Sequence, residues 1–272
     1  MSIVAGFDVG SLTTKAVIIK NKKIAGSALI RSGPKPIESA TRVMEKLLDA
    51  TGIIQSDIVS AVGTGYGREK ITFIDKAVSE ISCHGKGAQW LIPSARTIID
   101  IGGQDCKVIK LDKDGNLIKF ITNDKCASGT GRFLDVMAKV MNIEPSELGK
   151  LSAKSTEPIT FASICTVWAQ ADVIKHINSR KPVEDICAGI NAAMANRVAM
   201  LINSVKIEND ICMTGGVAKN TGVVKTLSKL LGCRIKQIKK ADPQLVGAIG
   251  AALFAEEMAM KKTGEKYDNS RL

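Results

Sequence analysis

An internal repeat constrains the fold of this chain more strongly than any other feature of its 272 residues. Residues 5–17 align with residues 97–109 at a constant offset of 92, and aspartate, glycine and lysine recur at equivalent places. Each copy reads as an apolar strand, a short polar turn and a second apolar strand, with a third strand after a further turn. The repeat therefore predicts two related α/β halves, each opening with a three-stranded meander.

The segments outside the repeat are predicted to be mainly helical, because their apolar residues recur at helical spacing. The predicted helices cover residues 36–51, 80–91, 129–141, 166–178, 183–206 and 243–260, and a further helix ends at Leu231. Predicted strands at 58–62 and 210–214 each run into a glycine-rich turn. The last helix is rich in alanine and glycine, which suits close packing against another backbone, and the polar residues 262–272 are expected to fray.

Composition limits the kinds of partner and compartment. No run of eighteen apolar residues is present and the N-terminus lacks a basic region before an apolar stretch, so we expect a cytoplasmic protein with no membrane segment. The seven cysteines show no disulfide-like spacing, which favours thiols or metal ligands in a reducing compartment. The net charge of +11 is diffuse and aromatic residues make up only 4%, so it predicts an acidic protein partner or an anionic ligand, not nucleic acid.

The polar turns of the two repeat copies are suited to binding phosphate. Their glycines permit close approach of backbone N–H groups, and Lys15 adds a charge-assisted contact. Asp8 and Asp100 end equivalent strands, where they are placed to hold, through water, the magnesium ion that accompanies a nucleotide. One such turn alone is an ordinary hairpin, but two at a fixed offset, with Gly215-Gly216 at a strand-to-helix turn, indicate a nucleotide site. No Gly-x-x-x-x-Gly-Lys motif occurs, which argues against a P-loop fold.

This order and spacing of motifs resembles the actin, sugar-kinase and heat-shock-chaperone ATPase superfamily. The Phosphate 1, Phosphate 2 and Adenosine motifs of that superfamily match residues 8–15, 100–107 and 213–220. The resemblance implies an α/β protein with duplicated ribonuclease-H-like (actin-like) ATPase domains and a nucleotide cleft between them. The first domain would comprise residues 1–94 with 244–272, and the second residues 95–243.

The resemblance also assigns roles to single residues. Those expected to bind ATP or ADP are Gly10, Ser11, Thr13, Thr14, Lys15, Gly102, Gly103, Gln104, Gly215, Gly216, Val217, Asn220, Pro243 and Gln244. Those expected to act in Mg²⁺-dependent hydrolysis are Asp8, Asp100, Asp105 and Glu80. Of these, Glu80 either orients the attacking water or is an ordinary carboxylate at the start of a helix.

Two cysteines carry a second kind of signal. Cys126 and Cys165 each stand just before a predicted helix, where exposed N–H groups and the positive end of the helix dipole lower a thiol pKa and favour metal ligation. Two thiolates cannot complete the four-cysteine shell of an iron–sulfur cluster, but a twofold dimer can, because each chain contributes the same pair. From these residues alone, the alternative is that each cysteine is a small buried hydrophobe.

Residues 79–84, 123–133 and 165–167, taken with the nucleotide motifs, resemble the activator ATPases of 2-hydroxyacyl-CoA dehydratases. That family includes the ATPase subunits of benzoyl-CoA reductases. The resemblance implies an oxygen-sensitive homodimer that holds one 4Fe–4S cluster through Cys126 and Cys165 of each chain. It also implies an ATP-driven one-electron donor of anaerobic metabolism, loaded by reduced ferredoxin or flavodoxin. The electron acceptor would be an iron–sulfur dehydratase, or alternatively a benzoyl-CoA-type or double-cubane-cluster reductase.

The second cysteine segment departs from the family pattern Cys-Thr-Val-Phe-Ala-Glu-Ser-Glu. This chain has Trp168, Gln170, Ala171 and Asp172 at four of those positions, so a carboxylate and a hydroxyl are lost. The change is expected to alter the cluster potential or the surface that meets the partner. Two other function classes stay open: a small-molecule kinase of the same fold, for which no sugar-binding motif is found, and a nucleotide switch without enzymatic activity.

The remaining cysteines and both histidines are predicted to be structural. Cys83, Cys187, Cys212 and Cys233 lie in apolar segments, and the side chain of Cys106 is expected to face the protein interior. His84 and His176 have no second ligand at metal-binding spacing. Trp168, close to Cys165, is the better candidate of the two tryptophans for an interface residue.

Overall fold

A computed structural model describes residues 2–161, 165–205, 207 and 210–263. The predicted helix end Lys206 and residues 264–272 of the tail that is expected to fray lie outside the described residues. The chain divides into two compact units. Unit 1 takes its residues from 1–95, 111–117 and 238–272, and unit 2 takes its residues from 96–110 and 118–237.

Both units contain strands and α-helices. The strands are β1 (Ile3–Val9), β2 (Thr13–Lys20), β3 (Lys23–Arg31), β4 (Ile58–Thr64), β5 (Lys76–Ala77), β6 (Thr97–Ile101), β7 (Cys106–Leu111), β8 (Leu117–Asn123), β9 (Ile211–Thr214) and β10 (Ile235–Lys236). The α-helices are α1 (Pro36–Thr51), α2 (Glu80–Leu91), α3 (Gly131–Val140), α4 (Glu147–Ser152), α5 (Thr166–Asn178), α6 (Val183–Asn203), α7 (Thr221–Leu231) and α8 (Val246–Thr263).

The sheet of unit 1 has the strand order β3-β2-β1-β4-β5. The first three strands form the predicted antiparallel meander, and β4 then pairs parallel to β1. Side chains alternate between the two faces of β1, so Ala5 and Phe7 join a core that includes α1, whereas Gly6 faces α8. A Cβ on Gly6 would lie 2.1 Å from Ala248 O and 2.2 Å from Ala252 N. The predicted close packing of the last helix against another backbone is therefore present, and it requires glycine on the strand.

The sheet of unit 2 repeats this plan with the order β10-β9-β6-β7-β8. Strands β6 and β7 form the antiparallel hairpin of the second repeat copy, and β9 pairs parallel to β6 as β4 does to β1. The core of the unit combines Ile99 and Ile101 of β6 with Phe133 and Met137 of α3 and with Met194 of α6. The two units thus share one arrangement, in which a hairpin is followed by a parallel strand.

Element boundaries differ from the sequence-based expectation at a few places. The helix expected at 129–141 is a 3₁₀ turn over Ala127–Gly129 followed by α3, and the helix expected from residue 243 begins with a 3₁₀ turn over Pro243–Leu245. Helix α4 and the two-residue strands β5 and β10 were not predicted. The described residues contain no helix that is both long enough and apolar enough to span a bilayer.

Candidate nucleotide and metal-ligand sites

The turn between β1 and β2 is closed by its own backbone and braced by Ser32. The N–H of Gly10 donates to Thr13 O at 3.1 Å. The Ser32 hydroxyl donates to Gly10 O at 2.7 Å and is hydrogen-bonded to Thr14 Oγ1 at 2.8 Å. Thr14 is fully buried, so its hydroxyl supports the turn, whereas Ser11 at the tip is exposed.

Asp8 occupies a narrow space at the end of β1. Its Oδ2 accepts a hydrogen bond of 3.0 Å from Lys15 Nζ, and both side chains are largely buried. A Cβ on Gly65 would lie 2.6 Å from Asp8 Oδ1, and one on Gly247 would lie 3.1 Å from Asp8 Oδ2. Gly65 has φ of +89°, a conformation that favours glycine. Gly65 belongs to the glycine-rich turn that follows the predicted strand at 58–62, and no residue of that turn was predicted to be part of the site.

Four further residues of unit 1 either were assigned to nucleotide binding or hydrolysis or lie beside this space. Glu80 is the first residue of α2, half-buried, and Ser79 caps that helix by accepting from Ser82 N at 3.2 Å. Pro243 and Gln244 form the 3₁₀ turn before α8, which Asp242 caps by accepting from Gln244 N at 2.9 Å. The buried His84 was expected to be structural, yet its Nε2 lies only 2.8 Å from the position of a Cβ on Gly247.

The turn between β6 and β7 has the same backbone geometry but a different set of charges. The N–H of Gly102 donates to Asp105 O at 3.0 Å, as Gly10 does to Thr13. Lys107 Nζ lies 2.6 Å from Asp105 Oδ2 and 3.7 Å from Asp100 Oδ2, so one ammonium group forms ion pairs with two carboxylates. Gln104 is exposed at the tip of the turn.

Asp100 is also hydrogen-bonded to the third predicted nucleotide motif, residues 213–220. Its Oδ1 accepts a hydrogen bond of 2.7 Å from Thr214 Oγ1 at the end of β9. Gly215 follows with φ of +83°, and a Cβ there would lie 2.3 Å from Ile101 O. The exposed Gly216 begins the next 3₁₀ turn. The carboxylate of Asp100 and the glycine pair of this motif therefore lie side by side in unit 2.

Two residues assigned to the nucleotide use their side chains within unit 2. Asn220 caps α7 by accepting from Gly222 N at 3.0 Å and Val223 N at 3.1 Å, and its amide donates to Asn191 Oδ1 at 2.9 Å. Val217 is buried in the core. Both residues shape the backbone of this motif.

The turn at Gly102 and Gly103 is hydrogen-bonded to the start of α3. The N–H of Gly131 donates to Gly102 O at 2.8 Å, and the N–H of Arg132 donates to Gly103 O at 2.9 Å. The first N–H groups of a helix have no acceptor within the helix, and here the carbonyl groups of Gly102 and Gly103 accept two of these hydrogen bonds. Cys126 precedes this helix by five residues. The backbone thus connects the second turn to the segment that carries Cys126.

Cys126 lies in an environment that favours a thiolate. Its Sγ is 3.0 Å from Ser128 Oγ, and Asn123 Nδ2 donates to its carbonyl oxygen at 2.9 Å. The Ser128 hydroxyl, then the Ser128 backbone N–H and the positive charge of Arg197, lower the pKa of Cys126 below its ordinary value. The thiol is partly accessible.

Cys165 directly precedes α5, and Ala169 N donates to its carbonyl oxygen at 2.9 Å. It is exposed, and so are the neighbouring Val167 (67%) and Trp168 (66%), in keeping with the expectation of an interface at Trp168. Helix α5 packs against α3, the helix that follows Cys126.

Four of the other five cysteines are buried, unlike Cys126 and Cys165. Burial raises the pKa of the Cys83, Cys106, Cys187 and Cys212 thiols to about 12 each, so these four are predominantly protonated at neutral pH. Within the described ranges, no three His, Cys, Asp or Glu side chains gather as a complete metal site. Cys126 and Cys165 both precede a helical segment and are at least partly accessible, and Cys126 has a lowered pKa, so these two thiols fit ligands of a cluster shared with a second copy.

Residues 5–255 of the chain match the BadF/BadG/BcrA/BcrD ATPase family. The chain belongs to this family. The 2-hydroxyisocaproyl-CoA dehydratase activator of Clostridioides difficile is 46% identical over 261 residues, which cover 96% of this chain and 97% of that protein. The (R)-2-hydroxyglutaryl-CoA dehydratase activating ATPase of Acidaminococcus fermentans is 43% identical over 258 residues, covering 94% of this chain and 98% of that protein.

The BadF/BadG/BcrA/BcrD assignment extends to the three-dimensional structure. A solved structure of the activator of the 2-hydroxyisocaproyl-CoA dehydratase from Clostridium difficile with bound ADPNP superposes with a TM-score of 0.93, at 44% identity and with 98% of each chain covered. The predicted resemblance to the activator ATPases and the predicted duplicated, actin-like α/β fold are both confirmed.

Proposed function

We propose that this protein is an ATP-dependent activator that hydrolyses ATP to drive a low-potential one-electron transfer to a 2-hydroxyacyl-CoA dehydratase. The observation that carries the proposal is the pair of hydrogen bonds from Gly131 and Arg132 to the turn at Gly102 and Gly103. These bonds connect a phosphate-binding turn with the segment of a candidate metal ligand, Cys126. The two relatives named above, both activators of 2-hydroxyacyl-CoA dehydratases, support the same partner class.

The residues of the two turns would bind and orient the nucleotide. Backbone N–H groups at Ser11 and Gly103 would meet the phosphates, and Lys15 and Lys107 would add charge-assisted contacts. Asp8 and Asp100 would hold Mg²⁺ through water, with Asp105 close to Asp100 and with Glu80 orienting the attacking water. Because Lys15 and Lys107 contact these carboxylates, a nucleotide with Mg²⁺ would redistribute the lysine contacts in both turns.

Cys126 and Cys165 of two copies would together supply the four thiolates of a 4Fe–4S cluster, which supplies one-electron redox chemistry when bound. A displacement of the turn at Gly102 would shift the start of α3 through the Gly131 hydrogen bond. In a twofold dimer the same shift occurs in both copies, so ATP would change the geometry of all four thiolates together.

Reduced ferredoxin or flavodoxin would deliver the electron, and the net charge of +11 suits an acidic donor or acceptor. The exposed Trp168 lies beside Cys165 on the surface that the partner would meet. Because Trp168, Gln170, Ala171 and Asp172 depart from the family pattern, this surface is also where a benzoyl-CoA-type or double-cubane-cluster reductase would be distinguished from a dehydratase.

Anaerobic purification followed by iron, sulfide and mass analysis tests the proposal. We expect a brown homodimer with about four iron and four sulfide per dimer, the content of one 4Fe–4S cluster. Cys126→Ala and Cys165→Ala should each abolish iron binding, whereas the control Cys233→Ala should retain it. A colourless monomer that cannot be reconstituted with iron and sulfide would contradict the proposal.

A further inference from the structure

Helix α6 runs past the segment that carries Cys126. Arg197 of this helix packs over the 3₁₀ turn after Cys126, since its Cγ lies 3.3 Å from the position of a Cβ on Gly129. A larger side chain at 129 would therefore compete with the arginine stem. The absence of a side chain at Gly129 lets Arg197 approach the segment of the candidate metal ligand.

Arg197 also lines a cavity of about 300 Å³ in unit 2. The wall of this cavity includes Asn123, whose amide donates to Cys126 O, and Gly129. The positive charge of Arg197 also lowers the pKa of Cys126. The guanidinium group is always protonated in proteins, so it is a fixed positive charge at the edge of the Cys126 segment.

We propose that Arg197 is a positioning residue that raises the reduction potential of the cluster held by Cys126. The inference rests on the proposed function and deepens it. When the cluster accepts one electron from reduced ferredoxin or flavodoxin, the cluster with its four thiolates gains one negative charge and the donor is oxidised. A fixed positive charge close to the segment of a ligand sulfur favours the more negative, reduced state. A twofold dimer brings two copies of Arg197 to one cluster.

The neutral hydrogen bond between Ser128 Oγ and Cys126 Sγ would act in the same direction but carries no charge. The role of Arg197 can therefore be separated from that of Ser128 by changing charge alone. Arg197→Gln removes the charge, and Arg197→Lys keeps the charge but loses the planar fork of donors. Arg234→Gln is the matched control, because Arg234 is exposed before β10, at the opposite edge of the sheet from β8.

The test is an anaerobic redox titration of the reconstituted dimers, followed by EPR of the reduced cluster. For Arg197→Gln we expect the ratio of reduced to oxidised cluster at a fixed potential to fall about tenfold, equivalent to a midpoint about 59 mV more negative. Arg197→Lys should shift the midpoint much less, and Arg234→Gln should leave it at the wild-type value.

Any other result of the titration would contradict either the role of Arg197 or the proposed function. Equal midpoints for wild type and Arg197→Gln at equal cluster content would overturn the role of Arg197, as would an equal shift in the lysine and glutamine variants. Loss of the cluster in both Arg197 variants would also overturn this role. The arginine would then stabilise the segment that carries Cys126 and would not set the reduction potential of the cluster. Wild-type protein without a cluster would instead overturn the proposed function itself.

Discussion

The backbone N–H of Gly131 donates a hydrogen bond of 2.8 Å to the carbonyl oxygen of Gly102. With the neighbouring bond from Arg132 to Gly103, it fixes the start of α3 to the turn between β6 and β7 at two points. The contact is short because Gly131 has no side chain, and a Cβ there would lie 3.0 Å from Gly102 O. A movement of the turn is therefore transmitted to α3 without an intervening flexible side chain.

Gly131→Ala is expected to displace the turn while leaving the fold intact. A Cβ at 131 would lie 3.0 Å from Gly102 O and 3.5 Å from Gly103 Cα, so the turn must shift by a few tenths of an ångström. We expect the KM for ATP to rise about tenfold, the equivalent of about 1.4 kcal/mol of overpacking. Steady-state ATPase assays measure this. Lys139→Ala, an exposed change on the same helix, is the control, and an unchanged KM in Gly131→Ala would contradict the connection.

Asp100→Asn should abolish most of the ATPase activity without unfolding unit 2. The asparagine oxygen retains the hydrogen bond from Thr214 Oγ1, but the charge that would hold Mg²⁺ and that faces Lys107 is lost. We expect kcat to fall by about 100-fold or more, the scale on which lost electrostatic stabilisation acts. The control is Asp112→Asn, a half-buried carboxylate that accepts hydrogen bonds from Asp114 and Asn116 of its own turn. Hydrolysis at the wild-type rate in Asp100→Asn would remove this carboxylate from the proposed catalytic set.

Gly6→Ala is expected to destabilise unit 1 strongly. The added Cβ would lie 2.1 Å from Ala248 O and 2.2 Å from Ala252 N, so strand β1 and helix α8 must separate. We expect the free energy of unfolding to fall by about 3 kcal/mol, the upper part of the range for overpacked cores. Urea denaturation measures it. Gly33→Ala, whose Cβ would meet nothing closer than Ser39 Oγ at 3.6 Å, should change stability little, and equal stabilities of the two variants would refute the packing argument.

Asp185 should make the stability of unit 2 depend on pH in the acid range. Hydrogen bonds from Ser155 Oγ at 2.6 Å, from Glu157 N at 3.0 Å and from Thr156 N at 3.1 Å lower the pKa of its carboxyl group. The folded state therefore binds this proton less readily than the unfolded state. The stabilisation is complete above the unfolded pKa of about 3.9 and is lost as the pH falls through the lower, folded pKa.

The measurement is the melting temperature of wild type and Asp185→Asn across this pH range. The wild-type protein should melt at the higher temperature at pH 7, and the difference should shrink below about pH 4 as the carboxylate is protonated. Asp114→Asn, an exposed carboxyl in a turn, should show no such pH-dependent difference. A difference between wild type and Asp185→Asn that stays constant from pH 7 to pH 3 would exclude the ionised carboxylate as its cause.

Helices with strong local signals could be predicted to the residue. Pro36 begins α1 and Gly52, with φ of +68°, follows its end, while Ser79 caps α2, and the predicted bounds of both helices agree with the structure. The start of α3 could not be predicted in this way. Thr130 is extended, with φ of −130° and ψ of 166°, because the next two N–H groups are hydrogen-bonded to a turn that is distant in sequence.

The duplicated strand–turn–strand units and the motifs of the ATPase family could be predicted from the sequence, because each depends on a local pattern. Local patterns also singled out Cys126 and Cys165 as candidate ligands. Tertiary structure decided which groups surround those residues. Lys107 lies between Asp105 and Asp100, and Arg197 reaches the Cys126 segment over Gly129. Such pairings depend on how strands and helices pack. The charge of a side chain does not indicate which distant segment of backbone lies next to it.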